Sequence, residues 1–333
     1  LLMGKKIKYS LVGLLVLIII VIVGGSFYML GFSLTPEHNK GKDISGSYKY
    51  MLSEYPQIKP WLDSLQTVGA LRDTFIINPE GRQLHAIFAA APEPTDKTAV
   101  IVHGYTDDAI RMLMIGYLYN KNLKYNILLP DLQDQGLSEG PAIQMGWKDR
   151  LDVLSWMNIA NDIFKKRYEA EIDSIRTNVP QSTQMVIHGI SMGAATTMMV
   201  SGESQRDFVK CFIEDCGYTS VWDEFAYQLK DMFGLPAFPL MYTTSLLCDV
   251  KYGWNFQEAS SLEQIKKCKL PMLFIHGDAD TYVPTWMVYP LYEIKSEPKE
   301  LWVVPGSTHA MSYKDHPQEY TERVKKFVEK YIY

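Results

Sequence analysis

The sequence has no run of Lys and Arg longer than three, and acidic residues outnumber basic ones, 38 to 33. A polyanion-binding face needs clustered positive charge, so nucleic acid is not an expected partner. Cysteine is scarce. Cys211, Cys216, Cys248 and Cys268 are the four, with no CxxC pair and no Cys/His spacing of a zinc site. No metal and no organic cofactor is expected. An even count would permit disulfides in an exported domain, and four free buried thiols fit it equally well. Internal repeats and low-complexity tracts are missing beyond the N-terminal apolar run. With 47% hydrophobic and 21% charged residues among 333, the chain is neither disordered nor fibrous. It can bury one sizeable core or two small ones.

Another absence marks the N-terminus: no charged residue occurs from Tyr9 to Thr35, just after Lys5, Lys6 and Lys8. The centre, Leu11 to Val23, is almost wholly Leu, Val and Ile. A membrane-spanning helix needs about 20 apolar residues, a length this segment reaches when Phe27 to Phe32 are included. A cleaved signal peptide has an apolar core of roughly 7–15 residues before a small-x-small site, and Val23-Gly24-Gly25 is the one plausible match. No Cys follows for lipid attachment. The expectation is an uncleaved anchor over 1–33, its basic flank cytoplasmic and the remainder extracytoplasmic. Secretion after cleavage and a buried core helix are the alternatives. Leu-Leu precedes Met3, which is the expected start. Residues 34–73 read as a stalk, polar over Thr35–Ser47, then one or two amphipathic helices that dock on the domain.

From residue 74 strands and helices alternate. Thr74–Ile77 and Leu84–Ala89 flank Pro79-Glu80-Gly81, an expected antiparallel hairpin. Short apolar runs follow at Ala99–Val102, Asn126–Leu129, Met185–Ile187, Val209–Glu214, Met272–Ile275 and Leu301–Val304. Continuous apolar character fits parallel strands covered on both faces. Helices are expected at Ala109–Lys121, Lys148–Tyr168, Met192–Gly202, Leu262–Cys268 and Pro317–Tyr331. This is an α/β chain with a mostly parallel central sheet. Some forty residues, about 219–261, are too many for a βα connection and predict a helical lid insertion.

The chemistry gathers at strand ends. Met185 to Gly193 reads as a strand followed by Gly189-x-Ser191-x-Gly193, with Ala194, Ala195 and Thr196 opening a helix. A sharp strand-to-helix turn lifts a serine hydroxyl above the sheet, and its glycines let backbone pass close by. The helix N-terminus favours an oxyanion beside it. A serine hydroxyl needs a base, and that base an orienting acid. Of His276, His309 and His316 downstream, His309 sits in the loop after the last expected strand. The acid is Asp280 in His276-Gly-Asp278-Ala-Asp280, with Asp278 and then Asp215 as alternatives. Met192 and Tyr105 are the expected backbone donors to the oxyanion. His103 is expected to be structural, its ring bonded locally.

Four blocks, His103-Gly104-Tyr105, Asp131–Gly140, Gly189–Gly193 and His276–Pro284, together with His309, resemble the α/β-hydrolase superfamily. Within it the chain is similar to bacterial lysophospholipase-like and serine-aminopeptidase-like membrane-tethered hydrolases. Where relatives carry Asp-x-Arg-Gly-His-Gly-x-Ser, this chain has Gln133 and Asp134 in place of Arg and Gly. The resemblance implies two-step acyl transfer by Ser191, His309 and Asp280. Trp222, Phe225, Tyr227, Met232, Phe233, Phe238, Met241 and Tyr242 of the insertion suggest an apolar pocket, hence a small-molecule or lipid-like carboxylic ester as substrate. They could also simply pack the lid. A peptidase or amidase with the same three residues, and a non-catalytic tethered binding domain, are the competing functions.

Overall fold

The computed structural model describes residues 2–36, 43–172 and 182–333. Of the expected polar linker, residues 37–42 lie outside the described residues. The chain opens with one long helix, α1 (Leu2–Leu34), then two short ones, α2 (Ile44–Glu54) and α3 (Lys59–Thr67). The strands β1 (Leu71–Ile77), β2 (Gln83–Ala89) and β3 (Lys97–Val102) precede α4 (Leu113–Tyr117), β4 (Asn126–Pro130) and α5 (Asp149–Ile172). Next come β5 (Gln184–Ile190), α6 (Met192–Ser201) and β6 (Val209–Asp215). Three helices, α7 (Val221–Phe233), α8 (Leu240–Tyr252) and α9 (Ser261–Ile265), separate β6 from β7 (Met272–Gly277). The chain closes with α10 (Val288–Ile294), β8 (Lys299–Val304), α11 (Ser312–Asp315) and α12 (Pro317–Val328).

One eight-stranded sheet runs β1-β2-β4-β3-β5-β6-β7-β8. β1 and β2 form the expected hairpin and β2 meets β4 antiparallel, while every later pairing is parallel. Side chains alternate across a strand, so a strand covered on both faces must be apolar throughout. In β3, Val100 and Val102 join the core on one face, and Ala99 and Ile101 join the core on the other. The first core is covered by α5, α6 and the α7–α8 pair. The second takes Met51, Trp61, Leu113 and Phe327 from α2, α3, α4 and α12. The docking helices are bonded as well as packed: Trp61 Nε1 donates to Asn120 Oδ1 at 3.0 Å.

Several expectations are refined. The helix expected at Ala109–Lys121 is regular only over Leu113–Tyr117 and ends in one wide turn, Leu123 N donating to Leu118 O. The N-terminal helix meets the domain directly. Its last turns pack on the domain, with Leu30 and Leu34 fully buried in the first core, and Ile143 N donates to Leu34 O at 2.9 Å. All four cysteines are buried and free.

Candidate active site

Ser191 caps β5 and precedes α6 with φ 58° and ψ −122°, a backbone geometry that L residues rarely adopt. Two glycines make the turn possible. A Cβ on Gly189 would stand 2.0 Å from the Gly193 carbonyl oxygen, and one on Gly193 would stand 2.1 Å from that of Val102. Backbone therefore occupies the space that any side chain would need.

The Ser191 hydroxyl lies 2.8 Å from His309 Nε2, and His309 Nδ1 lies 2.8 Å from Asp280 Oδ2. The other carboxylate oxygen of Asp280 accepts from the Tyr282 and Val283 amides at 2.9 and 3.0 Å. Burial works to raise the Asp280 pKa, but hydrogen bonds to His276 and His309 outweigh it and hold the carboxyl below its usual range. An ionised carboxylate can only accept, so His309 Nδ1 carries the proton and Nε2 offers its lone pair to Ser191. This arrangement can take a proton from the serine as its oxygen attacks a carbonyl carbon.

The other acids have different employment. Asp278 accepts from the Gly306 amide at 2.7 Å and so ties the His309 loop to the turn after β7. Asp215 accepts from Tyr320 Oη at 3.0 Å and Ser312 Oγ at 3.3 Å, behind the site. His276 is buried under the acid, its Nε2 2.9 Å from Val283 O. His316 is half-buried and 3.1 Å from Pro305 O. His103 is buried, with Nδ1 2.8 Å from Gly104 O and Nε2 accepting from Leu132 N at 2.9 Å. Burial lowers its pKa, which keeps the ring neutral in this role. Cys216, Asp280 and His309 bring ligand-type atoms within 4.8 Å. The acid and the imidazole are spent on each other, however, and burial pushes the thiol pKa well up.

Met192 opens α6, so its N–H is among those a helix leaves without an acceptor. The loop from His103 to Tyr105 crosses directly above the serine: a Cβ on Gly104 would be 3.4 Å from Ser191 Cβ. Tyr105 and Met192 line the same cavity as Ser191, a space of about 790 Å³. Phe225, Met232, Phe233 and Met241 of the insertion line it too, whereas Trp222 and Tyr242 stack edge to face at 4.8 Å. The insertion therefore divides its aromatics among lining, packing and exposed positions, with Phe238 and Tyr242 exposed.

Three features were not anticipated. The first is that α1 forms a wall of the cavity through Phe27, Tyr28, Gly31 and Phe32. Tyr105 Oη donates to Ser33 O at 2.9 Å, fastening that wall to the loop above the serine. The second is Glu224, whose Oε1 accepts from Gln228 at 3.0 Å while Oε2, also buried, has no partner among the described residues. Burial pushes its pKa up to about 8. The third lies in the departing loop. Gln133 accepts from Arg82 at 2.9 Å and donates to Asp152 at 2.6 Å. An arginine from the hairpin thus reaches the loop whose own arginine is missing.

The prolyl oligopeptidase family (Peptidase_S9) matches residues 173–333. The Bacillus subtilis (strain 168) protein YqkD is 29% identical over 242 residues, covering 73% of this chain and 74% of its own. Among solved structures, the Pyrococcus furiosus esterase Pf2001 is 22% identical with a TM-score of 0.57, over 79% of this chain and 93% of the other. Est1E from Butyrivibrio proteoclasticus, 18% identical with a TM-score of 0.53, covers 78% of this chain and 98% of its own. Strand order, covering helices and these structural likenesses give the chain an α/β-hydrolase fold.

Proposed function

We propose that the chain is a membrane-anchored serine hydrolase of carboxylic esters. Ser191 is the nucleophile, His309 the general base and Asp280 the orienting acid. The observation that carries this is the hydrogen-bonded series Ser191–His309–Asp280 at the wall of a largely apolar cavity. Ser191 Oγ attacks the acyl carbon and its proton passes to His309 Nε2. The alcohol leaves with that proton, and water, deprotonated in turn by His309, releases the acid and frees Ser191. The Tyr105 and Met192 amides take up the charge that develops on the carbonyl oxygen. The anchor is supported by the length and apolar character of Tyr9–Leu34, with the basic residues before it on the cytoplasmic side.

A second reading, amide or peptide cleavage by the same three residues, draws on the prolyl oligopeptidase match and on Glu224, a buried carboxyl able to hold a polar substrate group. Labelling with a fluorophosphonate tests the common core. The wild type should label, and Ser191→Ala and His309→Ala should not. A folded wild type that stays unlabelled would leave a non-catalytic domain in its place. Turnover of matched ester and amide substrates then separates the two hydrolytic readings.

A further inference from the structure

We infer that the outer face of the α7–α8 insertion and the adjoining turn of α1 dock on the lipid bilayer, so that the cavity at Ser191 receives an acyl ester directly from the membrane. The substrate rests on the proposed ester hydrolysis and the bilayer on the proposed anchor; the docking face rests on the following geometry.

After Lys8 no charge occurs until Glu37. Spanning a hydrocarbon layer of about 30 Å takes about 20 helical residues, which counted from Tyr9 end near Tyr28. Yet α1 already touches the domain before that point. A Cβ on Gly25 would be 3.2 Å from Leu240 Cδ1, and Ser26 Oγ donates to Thr243 Oγ1 at 2.7 Å. Residues 9–24 provide only about 24 Å of unencumbered helix. The start of α8 must therefore lie at the edge of the bilayer, with no stalk to hold it away.

The surface at that level is apolar. Tyr242, Leu246 and Val250 recur every fourth residue, which puts them on one face of α8, and all three are exposed. Phe238, 73% exposed, continues the stripe one turn earlier, its ring 5.9 Å from that of Tyr242. An apolar stripe of this kind is poorly placed against water and well placed at a membrane interface, where aromatic side chains concentrate. Phe27 and Tyr28 complete the argument, because each is exposed and also lines the cavity. The mouth of the cavity thus lies between α1 and the insertion, beside the stripe.

The test uses the full chain reconstituted in phosphatidylcholine–phosphatidylglycerol vesicles. An environment-sensitive fluorophore on Phe238→Cys should emit as in an apolar medium and be quenched by doxyl-labelled acyl chains. The same label on Lys325→Cys, on the solvent face of α12, should emit as in water. The double variant Phe238→Glu/Leu246→Glu should keep hydrolysis of a short soluble ester within about twofold and lose about tenfold or more on a long-chain ester held in the vesicles. Water-like emission at position 238, or equal loss on both esters, overturns the inference. If the wild type cleaves neither ester, ester hydrolysis fails while the fluorophore still reads the docking.

Discussion

At the scale of single residues, the site is a contest among three aspartates within reach of one loop. Asp280 is held by two backbone amides and faces His309, whereas Asp278 faces the Gly306 amide and Asp215 faces Tyr320. Removing the charge that holds the imidazole tautomer should be far more damaging than altering a loop tie. Asp280→Asn is expected to lower ester turnover by on the order of 10³–10⁴. Asp278→Asn keeps an acceptor oxygen for Gly306 and should stay within a few-fold. Steady-state kinetics on one soluble ester measure both, and comparable losses would remove the assignment of Asp280. Ser191, His309 and Asp280 were legible because each follows a strand end whose turn chemistry is written locally. Glu224 was not. A glutamate in an amphipathic helix reads as solvated, and only the packing of α7 over the cavity buries it.

At the scale of elements, α1 is two things in one helix. As a whole it has the length and apolar composition of a membrane span, and its last turns are a cavity wall. Gly31 lines the cavity, and a Cβ there would meet nothing nearer than Thr35 Oγ1 at 3.9 Å. Gly31→Leu should fill space in the cavity while improving the helix by about 1 kcal/mol. The expected outcome is a selective fall in kcat/KM for long acyl chains, with short-chain turnover and thermal stability maintained. A chain-length profile unchanged by the substitution would remove α1 from the acyl site. The insertion was legible as an element, because some forty residues between strands cannot be a simple connection. Its partner was not: nothing in the periodicity of residues 9–34 distinguishes a helix that ends in solvent from one that docks on α8.

At the scale of the whole molecule, several carboxyl groups are buried where the loss of water outweighs the hydrogen bonds they accept. Burial raises Glu214 to about 8, Glu224 to about 8, Asp149 to about 7 and Asp215 to about 6. In the unfolded chain such groups ionise near pH 4. The folded protein therefore holds these protons to higher pH than the unfolded chain does. The stability they contribute is complete below about pH 4 and is lost as pH rises towards 8. Asp131 and Asp280, held below their usual range, act oppositely and lose their contribution in acid. Calorimetry should accordingly find a higher melting temperature at pH 5 than at pH 8, and Glu214→Gln should narrow that difference. A melting temperature that rises between those two values would contradict the burial of these acids.

The alternation of apolar strands with helices, the Gly-x-Ser-x-Gly turn and the order serine, acid, histidine are local or one-dimensional properties, so the sequence by itself determined the sheet-and-helix architecture and the candidate triad. What sits around the triad depends on which surfaces meet. The arginine that reaches Gln133 arrives from a hairpin some fifty positions away, and the wall of the cavity arrives from the N-terminus. Only the tertiary structure decided those, because contacts between distant segments follow from how faces pack and leave no periodic trace in the chain.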